Sequence, residues 1–226
     1  MLKIDRAARG IFDEDIMNNK KYTEEMLSFL RQRIGAVMSG KRYIHTIEVE
    51  KMAERIGKIY LPEKVDVLRA ASLLHDITKE LTLQEQLDLC EKYGIPYTEA
   101  EKMSPKIFHA KTAAAQIPEK YPEFADSEVI SAVRWHTTGR ANMTLSEKII
   151  YLADYIDESR KFEDCVKLRK LFWSVDFANM TDDEKNAHLN DVLILSYDMT
   201  ISALQEEGRP IDNNTVEARS SLICGK

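Results

Sequence analysis

The sequence predicts an all-α fold, a helical bundle built as a single domain. Three observations carry this. Apolar residues recur at three- and four-residue spacing through most of the chain, the period of one helix face. Helix signals bracket those stretches: Thr82…Glu85, Thr144…Glu147 and Thr181…Glu184 read as capping boxes, and Gly or Pro falls between them. No alternating run is bounded by hairpin turn residues. The 226 residues, 44% hydrophobic, suffice for a sizeable core, and no repeat, composition shift or Gly/Ser-rich linker marks a boundary.

Residues 1–21 are polar and aperiodic and read as an N-terminal extension laid on the surface; the domain is then expected over 22–226. Thr23-Glu24-Glu25 opens a helix whose apolar face runs from Met26 and Leu27 through Leu30, Ile34 and Val37 to about Met38. Gly40 is read as its breaker. The next helix is expected from about Tyr43 to Tyr60, with His45 one turn before Val49 on the apolar face. Pro62 resets the chain, and Val65 to about Lys79 is expected as one helix carrying His75 and Asp76. The capping box at Thr82 opens a helix closed by Gly94 and Pro96. Ser104-Pro105 reads as an N-cap with Pro at the first helical position, His109 lies one turn in, and Pro118 and Pro122 end that helix. Ser127 to about Thr137 follows, with His136 below Val133 and Val129. A loop, 137–142, leads to the helix opened at Thr144, which holds Asp154. C-terminal helices are expected near Phe162–Trp173, Asp182–Glu207 and Thr215–Ile223, within residues 162–224.

A net charge of −6 argues against a general nucleic-acid or anionic-membrane binder. No early apolar h-region suggests secretion, and no apolar run approaches a membrane span, so the expectation is a cytoplasmic protein. Cys90, Cys165 and Cys224 are scattered without a CxxC pair and read as reduced thiols.

The chemistry centres on Leu73-Leu74-His75-Asp76. An imidazole and a carboxylate side by side on a buried helix are costly unless something pairs with them, and a metal ion is the strongest candidate. Of five histidines, His45, His75, His109 and His136 fall on inward positions of separate helices; His188 sits in a polar stretch and is read as surface. A lone histidine on an apolar face is more often a core residue. Four of them joined by Asp76 and Asp154 form a ligand set of the kind helical bundles build from facing helices. Imidazole with carboxylate suits Fe, Mn or Zn and not Ca. Six ligands exceed the need of one tetrahedral zinc and fit two metals bridged by a carboxylate. Lys79, Arg140 and Arg160 flank three ligands and are candidates for a phosphate clamp, with Thr137, Thr138 and Gly139 offering hydroxyls and backbone N–H groups. Trp135 and Tyr155 could stack on a base or simply pack.

His45, then His75-Asp76, then Asp154 resemble the H…HD…D signature of HD-domain metal-dependent phosphohydrolases. The runs Leu74–Glu80, Ile107-Phe108-His109, Trp135–Met143, Glu147–Ile156 and Glu207-Gly208-Arg209-Pro210-Ile211 look like the bacterial HD-domain symmetrical diadenosine tetraphosphate hydrolases. The likeness covers about Arg42 to Arg219, with core motifs at 42–160. It departs at residues 1–21, at the longer Trp173–His188 stretch, at Asp157-Glu158 where Glu-Pro is usual, and at Ala110 where glycine is usual. The resemblance implies His45, His75, Asp76, His109, His136 and Asp154 as ligands of a two-metal centre, iron (Fe) by family likeness, with Mn, Zn or Mg as alternatives. It assigns catalysis to His75, Asp76 and Lys79, and substrate binding to Lys79, Thr137, Thr138, Gly139, Arg140 and Arg160. The expected reaction is attack of a metal-activated hydroxide on diadenosine tetraphosphate, giving two ADP. Alternatives are another HD nucleotide hydrolase acting on dNTP or an alarmone, a di-iron oxygenase, and a non-catalytic nucleotide sensor. The expected partner is a dinucleoside polyphosphate or nucleotide, with no nucleic acid or membrane; a homodimer is allowed.

Overall fold

The computed structural model describes residues 21–224, which hold α-helices, short 3-10 turns and no strand. The expected extension lies, but for Lys21, outside the described residues. The helices are α1 Glu24–Gly35, α2 Gly40–Tyr60, α3 Val65–Leu74, α4 Leu83–Tyr93, α5 Glu99–Lys102, α6 Phe108–Lys120, α7 Ser127–Trp135, α8 Leu145–Ile156, α9 Glu163–Phe172, α10 Asp182–Glu206 and α11 Asn213–Cys224. They form a single helical domain. No helix among the described residues is long and apolar enough to cross a membrane.

The bundle is built around α3. Every residue from Asp66 to Leu74 is buried, because α1, α2, α7 and α8 all pack on this helix. Leu68, Leu73 and Leu74 meet Val49, Met52 and Ile56 of α2 and Ile149, Ile150 and Leu152 of α8 in one continuous core. A buried ionic knot ties the first three helices together. Glu50 accepts from Arg31 Nε at 2.8 Å and from Arg69 Nε at 2.9 Å, and Arg69 also reaches Glu24. Each charge in it is paired, which is what allows a carboxylate to be buried there. A smaller cluster, Cys90, Ile107 and Phe108, seats α4 on α6. Cys90, Cys165 and Cys224 are free thiols.

Several boundaries differ from the sequence expectation. Gly40 does not break a helix but opens α2, because Ser39 Oγ accepts from Arg42 N at 3.3 Å while Glu80 holds the Ser39 N–H at 2.8 Å. The helix expected over 65–79 stops at Leu74, and the chain tightens into i→i−3 turns, Ile77 N to Leu74 O and Lys79 N to Asp76 O. The helix before the 137–142 loop likewise stops at Trp135, leaving His136 as its cap. In α6 the chain runs past Pro118 to Lys120, since Tyr121 N still reaches Ile117 O. A 3-10 turn over Pro105–Ile107 precedes α6, and α5 has its own capping box, Thr98 with Glu101. His188 is not a free surface residue: its Nε2 lies 3.0 Å from Phe172 O and its ring stacks on Phe172. The 173–188 stretch brings Trp173 and Phe177 to the same aromatic group, closed by Tyr60.

Candidate metal centre

All six sequence-predicted ligands converge. His45 comes from α2, His109 from the first turn of α6 and Asp154 from the last turn of α8. His75 and His136 sit at the C-terminal caps of α3 and α7. That position has a consequence for both rings. The last carbonyls of a helix lack intrahelical partners, and His75 Nδ1 donates to Ser72 O at 2.6 Å, His136 Nδ1 to Val133 O at 2.7 Å. Each ring thereby holds its hydrogen on Nδ1 and turns a bare Nε2 toward the centre.

Asp76 sits between two half-sites. Its Oδ2 faces His75 Nε2 at 3.3 Å and His45 Nε2 at 3.6 Å; its Oδ1 faces His109 Nε2 at 3.2 Å and His136 Nε2 at 3.7 Å. Asp154 Oδ1 joins the first half, 3.0 Å from His45 Nε2 and 3.8 Å from His75 Nε2. Three sets, His45/His75/Asp76, His75/His136/Asp154 and Asp76/His109/His136, each keep their ligand atoms within 4.8 Å of one another. His45 Nε2 and His75 Nε2 are buried with no hydrogen-bond partner. Buried polar atoms are seldom left so, and a cation between these nitrogens and the two carboxylates would satisfy them. The donor set, neutral imidazoles and carboxylates, fits a divalent metal.

Electrostatics point the same way. Burial pushes His109 down to about 3, helped by Lys79, and burial also lowers His136. Both rings stay neutral. Burial opposes ionisation of Asp76 and Asp154, yet His75, His109 and His136 hold the first carboxyl well below the carboxylate range, and Arg160 with His45 does so for the second. His45 is the exception. Burial pulls it down, but the Asp154 and Asp157 carboxylates beside the ring carry it up to about 9.

The signs give a pH profile for the metal-free protein. The stabilisation from His45, raised from 6.5, is fully present below 6.5 and lost as pH rises through about 9. His109, depressed from 6.5 to about 3, favours unfolding as pH falls below 6.5, because only the unfolded chain takes up that proton. Melting of the metal-free protein is expected to be highest between these limits; a maximum below about pH 5 would contradict the assignment. A metal needs His45 Nε2 bare, so ion binding in this window releases a proton and weakens as pH falls.

The predicted substrate groups divide. Lys79 Nζ lies 3.1 Å from His109 Nε2 and 4.0 Å from Asp76 Oδ1. Thr137 Oγ1 is 3.1 Å from both His109 Nε2 and His136 Nε2. Arg160 pairs with Asp154, its Nε also bonding Asp154 O. Those three join the cluster. Thr138 is buried and donates to Gly139 O, and Gly139, at φ 65°, is packed against Tyr197 and Ala218. Arg140 turns to the fully buried Glu147, with Nε 3.1 Å from each carboxylate oxygen. Arg140→Ala is therefore expected to lower stability by about 1–3 kcal/mol, through an under-paired buried carboxylate. Metal content should not change; denaturant melts beside metal analysis check both. Trp135 lies under the Arg134 guanidinium, 4.1 Å away, and Tyr155 stacks on Tyr151.

Sequence reasoning missed Arg42, whose Nη1 meets Asp76 Oδ2 at 2.6 Å. Its signal was there: it stands three residues before His45 on the same helix. Asp157, three residues after Asp154, is fully buried against His45.

Comparisons with known proteins agree with this geometry. The HD domain model matches residues 42–159, a span containing all six ligand candidates. The chain is 29% identical over 206 residues to the symmetrical bis(5'-nucleosyl)-tetraphosphatase of Bacillus subtilis strain 168, covering 89% of this chain and 98% of that protein. The protein of the same name from Halalkalibacterium halodurans is 30% identical over 182 residues, 80% of this chain and 89% of that one. A crystal structure from Clostridium acetobutylicum, described as a predicted HD superfamily hydrolase involved in NAD metabolism, superposes with a TM-score of 0.76 at 32% identity, over 88% of this chain and 97% of that one. With the ligand geometry and the matched span in accord, the chain belongs to the HD-domain family of hydrolases.

Proposed function

We propose that this protein hydrolyses diadenosine tetraphosphate symmetrically to two ADP at a two-metal centre, iron being the first metal to try. The observation that supports it most is Asp76, which presents one oxygen to each of two ligand groups. Names of relatives aligned over most of their length supply the substrate. His45, His75 and Asp154 would hold one ion, His109 and His136 the other, with Asp76 shared. Bound there, two divalent ions supply an activated water at neutral pH and polarise phosphoryl oxygens.

The chain's own residues supply the rest. Phosphoryl transfer depends on positioning and on positive charge around the equatorial oxygens. Arg42, Lys79 and Arg160 form a cationic rim whose charges are partly exposed beside the buried ligands. Burial lowers the Lys79 ammonium, so it is poorly solvated and ready to exchange its present neighbours for a phosphate oxygen. Thr137 offers a hydroxyl beside the second ligand group. Lys79→Ala is expected to retain metal and lose about 1.5–3 kcal/mol of transition-state stabilisation, roughly 10–150-fold in kcat/KM.

A second reading has one observation in its favour, the Clostridium neighbour's link to NAD metabolism: a dinucleotide joined by a shorter phosphate bridge. Metal-loaded protein assayed against dinucleoside polyphosphates, NAD and single nucleotides decides between them by product. ADP alone from the tetraphosphate supports the first reading. ATP with AMP would overturn its symmetry, and turnover of NAD alone would overturn its substrate.

A further inference from the structure

One pair of polar groups beside the cluster has no role in the reading above, namely the Asp157 carboxylate and the Ser159 hydroxyl. We infer that Ser159, locked by Asp157, holds the Nδ1 proton of His45 in place, so that the proton lost on ion binding leaves Nε2 and that nitrogen is the one offered to a metal.

Asp157 caps the C-terminus of α8 and is fully buried. An ionised carboxylate can only accept, and Asp157 Oδ1 takes both the Ser159 N–H, at 2.8 Å, and the Ser159 hydroxyl. With that hydrogen committed, the Ser159 oxygen has only lone pairs to show its other neighbour. That neighbour is His45 Nδ1, at 3.3 Å. Nδ1 must therefore be the donor, and the proton that ion binding displaces leaves from Nε2, which lies 3.0 Å from Asp154 Oδ1. Asp157 Oδ2 also lies 3.3 Å from His45 Nδ1, yet it makes no hydrogen bond of acceptable geometry. It contributes charge, and the serine oxygen contributes direction.

His45 needs such help where two of its counterparts do not. His75 and His136 stand at helix ends and bond their own chain's free carbonyls. His45 lies inside α2, where backbone carbonyls are engaged in the helix ladder, so its Nδ1 acceptor has to come from another segment. The turn after α8 delivers it. Asp157 Oδ2 comes as near as the serine oxygen but off the hydrogen-bond line, and the hydroxyl two residues on takes that line. Ser159 and Asp157 are thus positioning residues that act through His45. The inference rests on the metal reading and is independent of which nucleotide is cleaved.

The test is Mn2+ affinity of the full-length, metal-stripped protein, measured by chelator competition. Ser159→Ala is expected to bind about 10–100-fold more weakly, the range for loss of an outer-sphere partner. Ser159→Thr, which keeps a hydroxyl, should restore most of it. In a His45→Ala background, Ser159→Ala should change nothing further. Asp157→Asn, whose amide frees the serine proton to point at His45, should weaken binding in the same direction. Loss of the bond to buried Asp157 should lower melting of the metal-free Ser159→Ala protein, so affinity is the readout that a merely structural serine would leave unchanged. Wild-type affinity in both Ser159→Ala and Asp157→Asn overturns the inference, as does an equal loss with and without His45. Failure of the tetraphosphate assay would leave this measurement untouched.

Discussion

Asp76→Ala is expected to lose its bound metal and at least about 100-fold in turnover, more than the 10–100-fold typical when a ligand's supporting partner is removed. Asp76 presents a separate oxygen to each ligand group. Its Oδ2 lies near His45 and His75 and its Oδ1 near His109 and His136, so one truncation strips a ligand from each. Arg42 would also lose the carboxylate that its Nη1 meets at 2.6 Å. Elemental analysis of the purified variant, read beside circular dichroism, separates metal loss from misfolding. A folded variant with two ions per chain would remove Asp76 from the bridging position.

Gly139→Ala is expected to destabilise the fold by about 2–5 kcal/mol, adding left-handed backbone strain to overpacking. Gly139 has φ 65°, and a Cβ there would collide with the Tyr197 hydroxyl and approach Ala218 Cβ to 2.9 Å. Gly94 supplies the control. It has nearly the same φ, 64°, with nothing within 4 Å of an added Cβ. Gly94→Ala should therefore show the strain without the collision, about 1–2 kcal/mol. Denaturant titration of both variants gives the difference; equal losses would mean that the contact with Tyr197 contributes nothing.

Gly139 also shows where sequence reading reaches its limit. Its place between two threonines and an arginine suggests a phosphate loop, yet Tyr197 lies 58 positions further along and no local pattern announces that contact. Arg140 is a similar case. Glu147 is legible as the third residue of a capping box, and it does bond Thr144 N at 2.8 Å. The same carboxylate has oxygen to spare and captures Arg140. A pattern that explains a residue once hides its second use. Arg160, equally basic and also within two helical turns of a ligand, goes the other way because Asp154 and Asp157 both pair with it.

The ligands themselves were open to reading for a chemical reason. Imidazoles and carboxylates are rare on apolar helix faces, so six of them at helical spacing stand out against Leu, Ile and Val. The helix ends at Leu74 and Trp135 were not, since Ile77 and Thr137 continue the pattern and nothing in residue type distinguishes an α turn from a tightened one. At those ends His75 and His136 bond back to Ser72 O and Val133 O in the last helical turn.

The ligand candidates lie far apart along the chain, from His45 to Asp154, on five different segments. An ion held by them is a crosslink as well as a reagent. It ties the ends of a loop of more than 100 residues, as a disulfide would, but reversibly and in proportion to free metal. At 100 times its dissociation constant an ion bound only by the native state adds about 2.7 kcal/mol. Thermal tolerance would thereby be coupled to the metal supply of the surroundings, and scarcity would show first as a population of opened chains exposed to proteolysis.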